Sequence, residues 1–196
     1  MYSILIDTAD KYLSVGLSKD NTIVDSISYE CWQRQSEFLI SELDKLMKRN
    51  NVTRNDIGAV VASKGPGSYT GIRIALTVAK VLAFALSIPL YLASSLEVLK
   101  DFNAPSICVV NARSKRSYVA VYDGETTIMA DTIMDNKDLV DYIANHPEYK
   151  VCGDVSYLGL EGYQANILES LNKLMIERNL EKDVLASKPV YLKDNY

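Results

Sequence analysis

The chain has 196 residues, 48% of them hydrophobic and 23% charged, which is the profile of an ordinary globular protein and excludes a disordered or fibrous one. A formal net charge of −4 supplies no global positive field to hold a phosphate backbone. Cys31, Cys108 and Cys152 lie far apart with no C-x-x-C spacing, and His146 is the single histidine, so neither a disulfide framework, a thiolate zinc site nor a two-histidine metal site is supported.

The length fits one domain or two small ones. The opening MYSILIDTAD has no basic leader region. The longest uncharged stretch, Val81–Leu96, is 16 residues and is broken by Pro89, shorter than a membrane-spanning helix needs. The expectation is a cytoplasmic, reduced protein with no membrane contact.

In chain order, Tyr2–Asp7, Tyr12–Ser18 and Thr22–Tyr29 read as three strands joined by short polar turns, an antiparallel meander. A helix follows from about Gln33 to Arg49, with Leu39, Leu43, Leu46 and Met47 on one stripe. Ile57–Ser63 reads as a buried strand ended by Gly65-Pro66-Gly67. A second helix spans about Thr70 to Leu86 and stops before Pro89. Leu90–Leu92 reads as a short strand, with Ser94 or Ser95 as the cap of a short helix.

The pattern breaks at Asp101–Pro105 and restarts. Ile107–Asn111, Ser117–Asp123 and Thr126–Thr132 read as strands, the last two joined by a tight Asp123-Gly124 turn. A helix near Lys137–Ala144 follows, then a strand at Tyr149–Cys152 and a helix near Gln164–Arg178. His146 marks a helix end. The order β-β-β-α-β-α therefore occurs twice, without residue-level repetition. It predicts an α/β protein of two lobes, residues 1–103 and 104–196, with a cleft between them and a shortened second lobe; each helical crossover between parallel strands must be right-handed.

Three stretches bear chemistry. Gly65-Pro66-Gly67-Ser68-Tyr69-Thr70-Gly71 lies between a strand and a helix, where backbone N–H groups can hold an anion. It matches neither the Walker A nor the dinucleotide fingerprint, and a tight turn with Ser68 or Thr70 as N-cap accounts for it as well. Asp7, at the end of the first strand, could hold Mg²⁺ or position water, or close an Asx turn. Arg113-Ser114-Lys115-Arg116 is the one dense basic run: a solvated hairpin corner, or a contact to RNA held by a partner.

The second helix says more. At about 100° per residue, Arg73, Thr77, Lys80 and Phe84 share one line, and every other residue from Ile72 to Leu86 is aliphatic. The apolar arc is about 220°, where a surface helix needs little over 100°. One part covers the sheet; the surplus must be buried by the second half of the chain or by another protein. Phe38 lies off the apolar stripe of the first helix, near Ser41, Glu42 and Lys45. The interface expected from both helices is Phe38, Ser41, Lys45, Arg73, Ile74, Thr77, Val78, Val81 and Leu82.

Ile4–Thr8, Ser63–Arg73, Ser94–Glu97, Asn111-Ala112-Arg113 and Pro189–Lys193 together resemble the TsaB family, the non-catalytic subunits of the bacterial tRNA threonylcarbamoyladenosine machinery. The resemblance covers essentially the whole chain. It implies the duplicated actin-like/sugar-kinase/Hsp70 fold and scaffold work without catalytic residues. The implied partners are a TsaD-type catalytic subunit, met through the first two helices, and a TsaE-type ATPase. It further implies self-pairing when the chain is isolated, tRNA met only within the complex, and modification at N6 of the adenosine beside the anticodon. TsaD-type proteins carry a histidine pair where this chain has Ser94–Lys100 with none, so their metal would have no ligands here.

The chain departs from the family pattern at Asn111, where Asp is common, and at Gln35-Ser36, where His-Ser is frequent. Val155 stands where a phosphate-gripping loop would have glycine. No cofactor is expected; the weak candidates for binding one are Asp7, Gly65 and Gly67. Two other readings compete: a small phosphotransferase of the same superfamily using Asp7, and a homodimer with no catalytic partner.

Overall fold

The computed structural model describes residues 1–177, 180–181 and 184–192. Strands β1 (Tyr2–Asp7), β2 (Tyr12–Lys19) and β3 (Thr22–Glu30) form the expected antiparallel meander. Asp20 and Asn21 both take positive φ in the β2–β3 turn, the left-handed pair that two-residue hairpins favour. Helix α1 (Gln35–Arg49) crosses to β4 (Ile57–Ser63), parallel to β1, and α2 (Tyr69–Leu86) crosses to β5 (Leu90–Ala93), parallel to β4. Ser87 ends α2 in the left-handed conformation, and Glu97–Leu99 form one 3₁₀ turn.

The second meander is β6 (Ser106–Arg113), β7 (Arg116–Asp123) and β8 (Thr126–Asp135); α3 (Asn136–Asn145) returns the chain to β9 (Lys150–Cys152), parallel to β6. His146 caps α3, its ring Nδ1 2.8 Å from the carbonyl oxygen of Tyr142. The last helix, α4, spans Ile167–Glu177, and β10 is Leu180–Glu181. The two sheets have the orders β10-β5-β4-β1-β2-β3 and β8-β7-β6-β9.

Successive residues of β1 serve opposite faces of the first sheet. Ile4 and Ile6 join Leu39, Leu43, Leu46, Ala75 and Ala79 under α1 and α2. Leu5 joins Val61, Leu168, Leu171 and Leu174 beneath α4. Covering both faces explains why β1 and β4 are near-continuous apolar runs. It also places α4 differently from its position in the chain order. This helix follows the second sheet in sequence and reads as that copy's last element, yet its Leu168/Leu171/Leu174 stripe roofs the back of the first sheet. Strand β10, which no sequence pattern announced, then pairs antiparallel with β5.

The second sheet is packed more thinly. Ile107, Val109, Val119 and Val121 meet Leu139 of α3 and Val155, while the opposite face, with Cys108, Tyr118, Ala120, Tyr122 and Cys152, closes on Leu96. All three cysteines are buried and free.

Candidate partner-docking face

The carboxyl ends of β1, β4 and β5 meet at the floor of the cleft. Asp7 is 7% exposed there. Its Oδ1 accepts a hydrogen bond from the Ser63 hydroxyl and its Oδ2 one from the Ala9 N–H at 3.4 Å. Burial pushes its carboxyl up to about 6, against the lowering effect of those two bonds.

The glycine loop leans on the β1–β2 turn. Ser68 N–H donates to the carbonyl of Ala9 at 2.7 Å, and Thr8 Oγ1 donates to the carbonyl of Gly71 at 2.6 Å. A Cβ on Gly67 would overlap the carbonyl oxygen of Ala9, and one on Gly71 that of Thr8. Gly65 has φ +97, and a Cβ there would press on Ile72 and on the carbonyl of Val190. The space these glycines free is thus filled by the protein's own backbone, and Ser68 caps α2 by accepting from Gly71 N–H at 3.2 Å. Of the two readings of this loop, the packed turn with an N-cap is the one the geometry carries.

The loop after β9 is filled likewise. Gly153, φ +106, receives the Val109 carbonyl, and the Val155 side chain is 1% exposed within the second core. Asp154 faces across the cleft to Lys11 at 3.6 Å. The basic corner is a tight turn with Arg113, Ser114 and Lys115 all at positive φ, and the Arg113 guanidinium lies 5.7 Å from the ring centre of Trp32.

Helix α2 is only partly enclosed by the chain. Ile72, Ala75, Leu76, Ala79 and Ala83 are buried against the first sheet. Ile74, Val78, Leu82 and Leu86 are half-buried, packed on the edge of the same core. Val81 remains 60% exposed and Phe84 63%. The helix is long and apolar enough by composition to cross a membrane, but its buried face is built into a β-sheet. Between α1 and α2 runs an open groove lined by Ser36, Leu39, Ile40, Tyr69, Arg73, Ile74, Thr77 and Val78.

The expected interface residues therefore fall into two groups. Arg73, Ile74, Thr77, Val78, Val81 and Leu82 stand together on α2. Phe38, Ser41 and Lys45 do not line the groove with them. Phe38 is half-buried against the core beneath the Arg34 guanidinium at 4.7 Å, the Ser41 hydroxyl donates to the Phe38 carbonyl, and Lys45 pairs with Glu42 at 2.9 Å. Sequence reading missed three exposed apolar side chains on the same side as the α2 group: Ile40 at 56%, Tyr69 at 53% and Phe84. Ile40, one residue beyond the buried Leu39, could have been placed there from the helical period alone.

Two sheets built by the same strand order, each with a helical crossover and meeting at a cleft, define the actin-like/sugar-kinase/Hsp70 class. The solved YeaZ from Pseudomonas aeruginosa shares this fold, with a TM-score of 0.80 over 97% of this chain and 99% of that one at 22% identity. A family profile described as TsaD, tRNA N6-adenosine threonylcarbamoyltransferase, matches residues 30–194. The Bacillus subtilis tRNA threonylcarbamoyladenosine biosynthesis protein TsaB is 30% identical over 96% of this chain and 78% of its own length. Its Escherichia coli namesake is 27% identical over 62% of this chain and 55% of its own length. The chain belongs to the TsaD family and, within it, to TsaB.

Proposed function

We propose that this chain is the scaffold subunit of a tRNA-modifying complex, pairing through the outer face of α2 with a TsaD-type catalytic subunit. A TsaE-type ATPase joins the pair, and the complex threonylcarbamoylates N6 of the adenosine beside the anticodon. The reading rests on membership in the TsaB family, whose named members act in threonylcarbamoyladenosine biosynthesis, and above all on Val81 and Phe84, left in solvent on an otherwise core-forming helix. Large apolar side chains grouped on one helix face are the usual mark of a protein partner.

The first lobe, residues 1–103, carries the docking helix. The interface centres on Arg73, Ile74, Thr77, Val78, Val81 and Leu82, with Ile40, Tyr69 and Phe84 added. The same face lets the isolated chain pair with itself, in the cytoplasm, and tRNA is met only within the complex. The chain contributes no catalytic group: Ser94–Lys100 has no histidine, and among the described residues no three His, Cys, Asp or Glu side chains converge on a point. Against a phosphotransferase reading, the own-backbone filling of both glycine loops leaves no close approach for a phosphate.

Val81→Glu tests the proposal. The substitution places a charge on the exposed face without touching the core, so the monomer should melt as the parent does while co-purification with the TsaD-type subunit is lost. Unchanged pairing would remove this interface. Calorimetry with ATP and Mg²⁺ tests the phosphotransferase alternative: micromolar binding with turnover lost in Asp7→Ala would favour that reading instead.

A further inference from the structure

Residues 184–192 lie along the flank of α2, antiparallel to it. The Lys80 ammonium donates to the carbonyl oxygens of Leu185 at 2.7 Å and Ser187 at 2.9 Å. Two helical turns earlier, Arg73 Nε donates to the Tyr191 hydroxyl at 2.7 Å, and its guanidinium lies 4.0 Å from the ring centre of Tyr69 and 5.7 Å from that of Tyr191. The two tyrosine rings stack with centres 5.0 Å apart. Val190 N–H donates to the carbonyl of Lys64 at 2.8 Å.

The spacing fits. Residues 73 and 80 are about 10 Å apart along a helix axis, close to the roughly 13 Å that an extended chain covers from 187 to 191. The only two cations on the outward line of α2 are therefore both turned to holding the C-terminal segment.

Not all of this strap is turned inward. Val184 goes down onto the core beside α2. Leu185, at 61%, and Tyr191, at 36%, stay exposed, and Tyr191 is stacked on the exposed Tyr69 of α2. A segment pinned at both ends yet showing large apolar side chains extends the unpartnered face of the helix sideways.

We infer that residues 184–192 form a third element of the docking face, with Leu185 and Tyr191 as contact residues and Lys80 and Arg73 as the positioning residues that hold them. The inference rests on the docking reading above and takes the same occupant, the TsaD-type subunit; what favours it is continuity with the α2 patch through the Tyr69–Arg73–Tyr191 stack. Lys80 acts through the strap: its charge is taken up by two main-chain carbonyls.

The test is a calorimetric titration of the full-length chain with purified TsaD-type subunit, using Leu185→Asp with Tyr191→Ser, Lys80→Met, Lys80→Arg and Val81→Glu, each first checked for parental melting. The strap double variant and Lys80→Met should each weaken binding at least tenfold. Lys80→Arg, which can still reach the carbonyls, should restore affinity to within about threefold of the parent. Limited chymotrypsin digestion should cut the strap sooner in Lys80→Met than in Lys80→Arg. If Val81→Glu abolishes binding while the strap variants bind as the parent does, the strap inference is overturned and the docking reading stands. If Val81→Glu also binds normally, the docking reading itself is lost. A loss in Lys80→Met that Arg does not rescue would overturn the positioning role.

Discussion

The turn after β4 and the turn after β9 hold equivalent places in the two sheets, and both are rich in glycine, yet they are put to different uses. In the first, Gly67 and Gly71 admit the carbonyls of Ala9 and Thr8, and the turn launches the 18-residue α2, apolar beyond what its sheet can cover. In the second, Gly153 admits the carbonyl of Val109, and the chain then drops Val155 into the core and makes one short 3₁₀ turn. Glycine at the carboxyl edge of a sheet can thus be demanded by backbone lying on backbone, with no ligand involved. The two lobes also differ in what they do with the turn, since the first presents a helix and the second plugs its own crevice.

The largest effect should come from breaking the first turn. Gly71→Ala sets a Cβ against the Thr8 carbonyl, which α2 and the hairpin can relieve only by moving apart, and should cost about 3 kcal/mol in urea unfolding. Val155→Ala tests the plug in the second turn. With a side chain 1% exposed, about 2 kcal/mol should be lost, where a phosphate-contacting loop residue would lose almost none.

Asp7→Asn sharpens the contrast at the cleft floor. Burial raises the Asp7 carboxyl from 3.8 to about 6, so the folded state holds its proton more tightly than the unfolded one. Ionisation then costs stability as pH rises from about 4 to 6, and the cost is complete above that. The asparagine variant should be more stable than the parent by about 1 kcal/mol at pH 7.5, with the gain fading toward pH 4. A destabilised variant at pH 7.5 would mean that the ionised carboxylate is held by something stronger than Ser63 and Ala9.

The smallest effect belongs to the surface of the first lobe. Hydrogen bonds from Arg49 hold the Asp25 carboxyl down at about 2, tying the end of α1 to β3. The pair contributes stability above the ordinary carboxylate range that is lost as pH falls toward 2. Because both side chains are partly in solvent, Asp25→Asn should cost only about 0.5 kcal/mol at neutral pH.

Much of this was legible in the sequence because local signals and burial agreed. Ile57–Ser63 reads as a strand with the bounds it has, since an apolar run ending at Gly-Pro-Gly has few alternatives. Helix α2 is one residue longer than its pattern implied. Less legible was anything decided at long range. The stripe of Leu168, Leu171 and Leu174 says that α4 is amphipathic, but not which sheet it will roof. The chain order pointed to the second, and the uncovered back face of the first won. Phe38 shows the same limit: off the leucine stripe it read as exposed, whereas it packs half-buried beneath Arg34. Nothing in the spacing of Lys80 and Arg73 announced the strap, because their acceptors lie about a hundred residues away.

The central claim is that the outer face of α2 exists for a partner. Its most direct test is a reconstituted threonylcarbamoylation assay on tRNA, with TsaD- and TsaE-type subunits held constant and this chain added as parent or as Val81→Glu. The account predicts modification restored by the parent and reduced at least tenfold by the variant at the same concentration, with the two proteins melting alike. Equal restoration by both would contradict it.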